Sequence, residues 1–196
     1  MSIPAAPSDT RDRFLQAAFA LFAEKGFYGA SMDQIAREVA LTKQALIHHF
    51  GTKEKLYGVV LSDISTRLLA QIEDEATFAD AIVGLHRRAQ RDPKDTQLLM
   101  RELLDNRSRA ASAGTWYLRP FIDRLHSLLK VAPGWECAPA HLVATHTYQV
   151  LGAIHYFVVS VTTLEAMYSA NQVKSMRRAF PERLRTLAEL PPPAAG

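Results

Sequence analysis

The chain is predicted to be all-α, with a small N-terminal group of short helices followed by a larger helical domain. Three observations predict it. Apolar residues recur at helical spacing along most of the sequence, as in Phe14, Ala18, Leu21 and Phe22. No segment alternates strictly between apolar and polar residues and ends in hairpin dipeptides, so strands are not expected. Cap residues stand just ahead of the apolar runs; Ser31-Met32-Asp33-Gln34 reads as a capping box, with Ser31 as N-cap and Gln34 at N3.

The elements follow in order. The first helix carries Phe14 to Phe22 and is expected to end at Gly26, with Lys25 in its last turn and Phe27 folding back in a Schellman-type contact. Ser31 starts a second, short helix buried through Ile35, Ala36 and Val39. Thr42 caps a third, with Leu41 and Leu46 as a hydrophobic staple, and Gly51 stops it. Thr52 caps a longer fourth helix through Leu56, Val60, Leu61, Ile64 and Leu68. Beyond it, helices are expected over Thr77 to Arg91, Asp95 to about Ala111, Tyr117 to Lys130, Ala140 to about Tyr168 and Val173 to Leu190. Pro181 is a kink or restart in the last. Residues 191–196 form a flexible tail and 1–9 a disordered arm.

Composition narrows the function classes. Of 196 residues, 48% are apolar and 22% charged, an ordinary globular balance. A single cysteine, Cys137, excludes an internal disulfide and any multi-cysteine zinc site and fits a reducing compartment, here expected to be the cytoplasm. The N-terminus shows no secretory pattern. The most apolar run, Val150 to Val161, is shorter than the roughly 20 residues a bilayer needs and is expected to be a core helix. Net charge is +3, with 7 basic and 6 acidic residues up to position 60 and 16 and 14 beyond it. Neither part is strongly basic, so nucleic-acid binding must be argued from where side chains stand.

The stretch Leu41 to Tyr57, LTKQALIHHFGTKEKLY, is the informative one. His48 and His49 are adjacent and point about 100° apart on a helix, which does not suit a shared metal ion. No nucleophile elbow and no Gly-rich phosphate loop occurs. Two short helices across a tight turn are the layout of a helix-turn-helix, whose second helix enters the major groove. Thr42 to Phe50 spends Ala45, Leu46 and Phe50 on packing and leaves Lys43, Gln44, Ile47 and His48 facing outward. Helix starts at Ser31, Thr42 and Thr52 offer free N–H groups to phosphate, with Lys43 and Lys53 just after two of them.

These residues resemble the DNA-binding region of the tetracycline-repressor (TetR) family of transcriptional regulators. The resemblance lies in F-A-E-K-G-F, I-A, L-T-K, H-H-F and K-E-K-L at their spacings, and covers about residues 10 to 60. It implies a helix-turn-helix DNA-binding domain over 10–52 and a helical ligand-binding and dimerisation domain over 53–190. It implies a homodimer that reads an inverted-repeat operator in double-stranded DNA, acts most simply as a repressor, and is released by a small-molecule effector. Carried over by position, Ser31, Thr42 and Lys53 hold phosphates, Lys43, Gln44, Ala45 and His48 face the groove, and His49 touches the backbone. The sequence departs from the family pattern twice. Ala40 stands where a glycine is usual, at a cost on the order of 1 kcal/mol if its φ is positive. Ile47 replaces a phosphate-contacting tyrosine and is expected to meet a thymine methyl instead.

In the C-terminal region, Arg101, Asn106, Trp116, Tyr117, His126, Tyr148 and Tyr156 are polar or aromatic groups on otherwise apolar helices, the kind that orients a ligand in an apolar cavity. His141, Tyr148 and His155 recur every seven residues and fit a pocket or a dimer seam. Gly152 and Ala153 permit close approach of a second helix. No cofactor or metal is expected, and no catalytic residue. Two other readings stay open: a helical small-molecule-binding or interaction protein without operator binding, and an all-helical enzyme using His126, His141 or His146.

Overall fold

The computed structural model describes residues 10–105 and 117–193, and among them are nine helices and no strands. The expectations for Asn106, Trp116, the arm 1–9, the end of the helix toward Ala111 and the last three residues lie outside the described residues. The helices form two compact units. One comprises residues up to 64 together with 97–117; the other comprises 65–96 together with 118 onward.

The first unit contains α1 (Thr10–Gly29), α2 (Met32–Glu38), α3 (Lys43–Phe50) and the first part of α4 (Lys53–Ile72). Phe14, Phe22, Ile35, Leu46 and Leu56 have essentially no exposed surface and form its centre. Helices of seven and eight residues are too short to persist alone, so α2 and α3 depend on this packing. The first helical run of α1 ends at Gly26 as expected, with φ 72° and ψ 178° there, and a short second run carries the element to Gly29. The bend swings Phe27 against Phe22, 6.4 Å between centroids, and against the Tyr57 ring at 5.1 Å. The expected fold-back of Phe27 is therefore present, as a kink within one element.

The capping chemistry matches the sequence. Gln34 N–H donates to the Ser31 hydroxyl at 3.2 Å and Ser31 N–H donates to the Gln34 side-chain carbonyl at 3.0 Å. Ala45 N–H donates to the Thr42 hydroxyl at 3.1 Å, and Lys55 N–H to that of Thr52 at 3.3 Å. Gly51 closes α3 at φ 75°. In the turn between α2 and α3, Ala40 has φ 54°, and the N–H groups of Ala40 and Leu41 return to the carbonyls of Arg37 and Ala36, each at 3.0 Å.

The second unit is built on α5 (Phe78–Arg91), α7 (Arg119–Lys130), α8 (Ala140–Met167) and α9 (Ala170–Ala188), with α6 (Lys94–Asp105) beginning in it. Its core gathers Ile72, Phe78, Ile82, Leu125, Leu129, Trp135, Val150, Ile154 and Leu184. Pro120 falls in the first turn of α7, where its missing N–H costs nothing. α9 starts three residues before the expected Val173. A second capping box, Ser169 with Gln172, begins it, and Pro181 is carried inside without ending it. The Trp135 indole N–H donates to the Leu190 carbonyl at 3.0 Å, tying down the chain just after α9.

α8 is, among the described residues, the one helix long and apolar enough to cross a membrane by length and composition. Its inner face, including Val143, Val150, Ile154, Phe157 and Val158, is buried on α5, α7 and α9. His146 and Thr147 are buried with them, and polar residues recur along its length. The opposite face, with Tyr148 and Tyr156, is exposed in the single chain, so the helix is buried on one side only.

Candidate nucleic-acid interface

α3 is a small platform. Leu46 is fully buried and Phe50 nearly so, while Ala45 is half-buried. The intervening positions turn outward: Lys43, Gln44, Ile47, His48 and His49 are exposed, Ile47 by 44%. With 3.6 residues per turn, Gln44 and His48 point away from the anchors at 46 and 50 and Ile47 lies to one side, while Lys43 shares the anchors' side but is exposed at the first position of the helix. Arg11 lies over the Phe50 ring, 5.2 Å from its centroid, and His49 lies 5.8 Å from Phe14, so α1 braces the C-terminal end of α3. Arg13 donates to the Val39 carbonyl at 2.8 Å, securing the end of α2 to α1.

The phosphate candidates stand at three helix starts. Ser31 and Thr42 are exposed and use their hydroxyls to accept from their own helices, leaving other N–H groups of each first turn free for an anion. Lys53 is half-buried, and its ammonium lies 4.5 Å from the Phe27 ring centroid. One feature escaped the sequence reading. Lys43 Nζ donates to Asp33 Oδ2 at 2.9 Å, a bridge from α3 to α2. The Lys43 ammonium, together with Arg37, holds the Asp33 carboxyl below its ordinary range. A ten-residue separation across a turn gives no periodic cue, so only the fold reveals this pair.

The effector candidates are dispersed. Arg101 and Tyr117 belong to the first unit and are exposed. The Tyr117 hydroxyl abuts Gly58 of α4, where a β-carbon would collide with it. In the second unit, His126 is half-buried on α7, and burial pushes its imidazole down. Tyr148 and Tyr156 are 60% and 72% exposed on the outer face of α8, so these three do not share enclosed surroundings. His86, which the sequence did not single out, is fully buried beside Phe180 at 4.8 Å and Phe157 at 5.9 Å. Neither of its ring nitrogens has a hydrogen-bond partner among the described residues. Burial pushes its pKa down to about 4. A cavity of about 380 Å³ lies elsewhere in this unit, lined by Phe78, Leu128, Val131, Trp135, Arg185 and Glu189 among others. Among the described residues no group of three or more His, Cys, Asp or Glu could hold a metal ion.

Residues 14–60, which hold α3 and most of the helices packed around it, match the family model described as bacterial regulatory proteins, tetR family. Over these residues the chain is similar to the tetR family. Among similar tetR-related sequences, the HTH-type transcriptional regulator UidR of Escherichia coli strain K12 is 38% identical over 77 residues, covering 39% of this chain and 36% of UidR. The chain thus matches only about a third of the length of that relative. The HTH-type transcriptional regulator RutR of the same strain is 27% identical over 199 residues, 92% of each chain. Among solved structures, Salmonella enterica GusR superposes with a TM-score of 0.68 at 21% identity, covering 94% of this chain and 96% of that one. Bacillus subtilis FadR, in complex with stearoyl-CoA, gives 0.66 at 15%, covering 91% and 98%. The chain therefore shares its fold with these solved structures, while the family-model match is confined to residues 14–60.

Proposed function

We propose that the protein is a DNA-binding transcriptional regulator that acts as a homodimer on an inverted-repeat operator, represses, and is released by a small molecule. The observation that carries this is the outward set on α3, Lys43, Gln44, Ile47 and His48, held rigid by buried Leu46 and Phe50. Long polar and cationic side chains on a braced two-turn helix suit base edges in the major groove, and Ile47 suits a thymine methyl. Ser31, Thr42 and Lys53 flank that set and supply the backbone contacts that fix register. None of these residues forms a catalytic constellation, and the proposal assigns no enzymatic step.

Dimerisation is supported by α8. Its outer face runs through Thr145, Tyr148, Gly152, Tyr156, Val159 and Thr163, spaced three and four residues apart and all exposed in the single chain. Two large aromatics flanking a glycine offer area and close approach, which a second copy of the helix would use. Effector binding is proposed for the second unit. It draws on the similarly folded FadR, whose structure holds stearoyl-CoA, and on the unpartnered polar atoms inside this unit. Of the residues singled out in the sequence, His126 is the half-buried candidate in that unit.

The test is selection of random duplex DNA by the purified protein, repeated with Lys43→Ala and Gln44→Ala. An enriched palindrome, lost or relaxed in the variants, is the expected result; the absence of any enriched palindrome rejects the reading. Binding should weaken steeply with salt through counterion release, whereas a protein that only binds small molecules would show little slope.

A further inference from the structure

We propose that Asp33 is a specificity-determining residue of this surface: it holds the Lys43 ammonium against α2 and cancels its pull on phosphate, reserving Lys43 for base edges. The inference rests on the DNA-reading function proposed above.

The geometry is direct. Lys43 is the first residue of α3 and Asp33 the second of α2, and their charged groups meet at 2.9 Å with side chains 45% and 56% exposed. The acceptor is on a fixed turn. The Ser31–Gln34 capping box locks the start of α2, and Arg37 Nε donates to the Asp33 backbone carbonyl at 3.3 Å. A lysine ammonium has three N–H donors. One is taken by Asp33, which leaves two for acceptors such as guanine O6 and N7.

The energetic consequence concerns discrimination. An unrestrained lysine beside duplex DNA is drawn to phosphates of every sequence, which adds affinity without information. The Lys43–Asp33 pair is neutral as a whole and attracts phosphate little. It can still donate to a base edge that presents acceptors at the right place. Beside Lys43, Arg37 is the cation that acts on the Asp33 carboxyl. Arg37 keeps a net positive charge there, so the surface is not made repulsive to DNA.

The experiment measures affinity for a random duplex and for the selected site across a salt series. Wild type, Asp33→Asn, Lys43→Gln, the double variant and Asp33→Glu are compared, each checked by thermal melting. Asp33→Asn should steepen the log–log salt slope on random DNA by about 0.9. It should also lower the selected-to-random affinity ratio on the order of tenfold. Asp33→Glu, which keeps the charge, should stay near wild type, and the steepening should vanish when Lys43→Gln is also present. An unchanged slope and ratio in Asp33→Asn overturns the proposal. So does an equal effect of Asp33→Asn in the Lys43→Gln background, since Asp33 would then act on DNA alone. If wild type itself selects no sequence, the DNA-reading function fails first and takes this inference with it. Independently of DNA, the Asp33 carboxyl pKa followed by NMR should rise in Lys43→Gln; no rise means that the pair does not form in solution.

Discussion

Two residues show where the chain holds free energy that a substitution could release. Ala40 occupies the left-handed region at φ 54°, where an L-residue costs roughly 1–2 kcal/mol. Glycine removes that cost but loses about 0.5–1 kcal/mol more backbone entropy on folding. Ala40→Gly should therefore stabilise the protein by about 0.5–1 kcal/mol and raise Tm by ~2 °C, read by thermal melting. A lower Tm would mean that the turn does not adopt this conformation. His86 is the other. Its imidazole takes up a proton near pH 6.5 in the unfolded chain but only at about 4 when folded. Each proton bound in that window favours unfolding, so this contribution is intact above 6.5 and lost as pH falls toward 4. For this group alone the loss by pH 4.5 is roughly 2–3 kcal/mol. His86→Leu, of similar volume, should remove that part of the acid sensitivity. It should also gain on the order of 1 kcal/mol at pH 7 by deleting buried nitrogens without partners. Urea titrations of both proteins at pH 7 and pH 4.5 decide it; equal pH dependence refutes the assignment.

At the scale of elements, α3 separates residues that hold the platform from residues that use it. Leu46 is fully buried, so Leu46→Ala should cost ~3 kcal/mol and disturb binding through unfolding. Ile47 is its exposed neighbour, and Ile47→Ala should change stability by no more than about 0.5 kcal/mol while altering the preferred DNA sequence. Denaturant curves paired with sequence selection separate the two; a large stability loss in Ile47→Ala would place that residue inward. The same separation was readable in the sequence, because caps and apolar spacing over residues 31 to 56 are local signals. Ser31, Thr42, Thr52 and Gly51 each act on neighbours within four residues. The Ser169–Gln172 box is equally local, but it opens a polar first turn, so counting from the first buried residue, Val173, placed the start of α9 too late. Gly26 is a local signal as well: its non-helical backbone ends the first helical run at the glycine itself. Contacts across distant elements left no local trace. The Asp33–Lys43 bridge, the His86–Phe157–Phe180 cluster and the Trp135–Leu190 bond all needed the fold.

For the whole molecule, the proposed function requires two copies, because one α3 reads a single half-site and an inverted repeat needs its twin about one helical turn of DNA away. The outer face of α8 provides the test. Nothing lies within 4 Å of a β-carbon built on Gly152, so the single chain has room for any side chain there. Replacing a mid-helix glycine by tryptophan also removes a propensity cost of roughly 0.5 kcal/mol, so it should leave the helix of the single chain intact. Between two copies the same residue would hold the helices apart, at the point where Tyr148 and Tyr156 flank the glycine. Gly152→Trp is therefore expected to keep its helical content, with a Tm lowered only by the concentration-dependent part that dimerisation adds in wild type. It should run as a monomer in light scattering where wild type runs as a dimer. Losing the link between half-sites removes the effective-concentration gain, so affinity for a palindromic site should fall by at least about 100-fold. Affinity for an isolated half-site should stay the same. A dimer that persists in Gly152→Trp would mean that the two copies meet on another surface, and a wild-type monomer that binds the full palindrome unaided would remove the need for one.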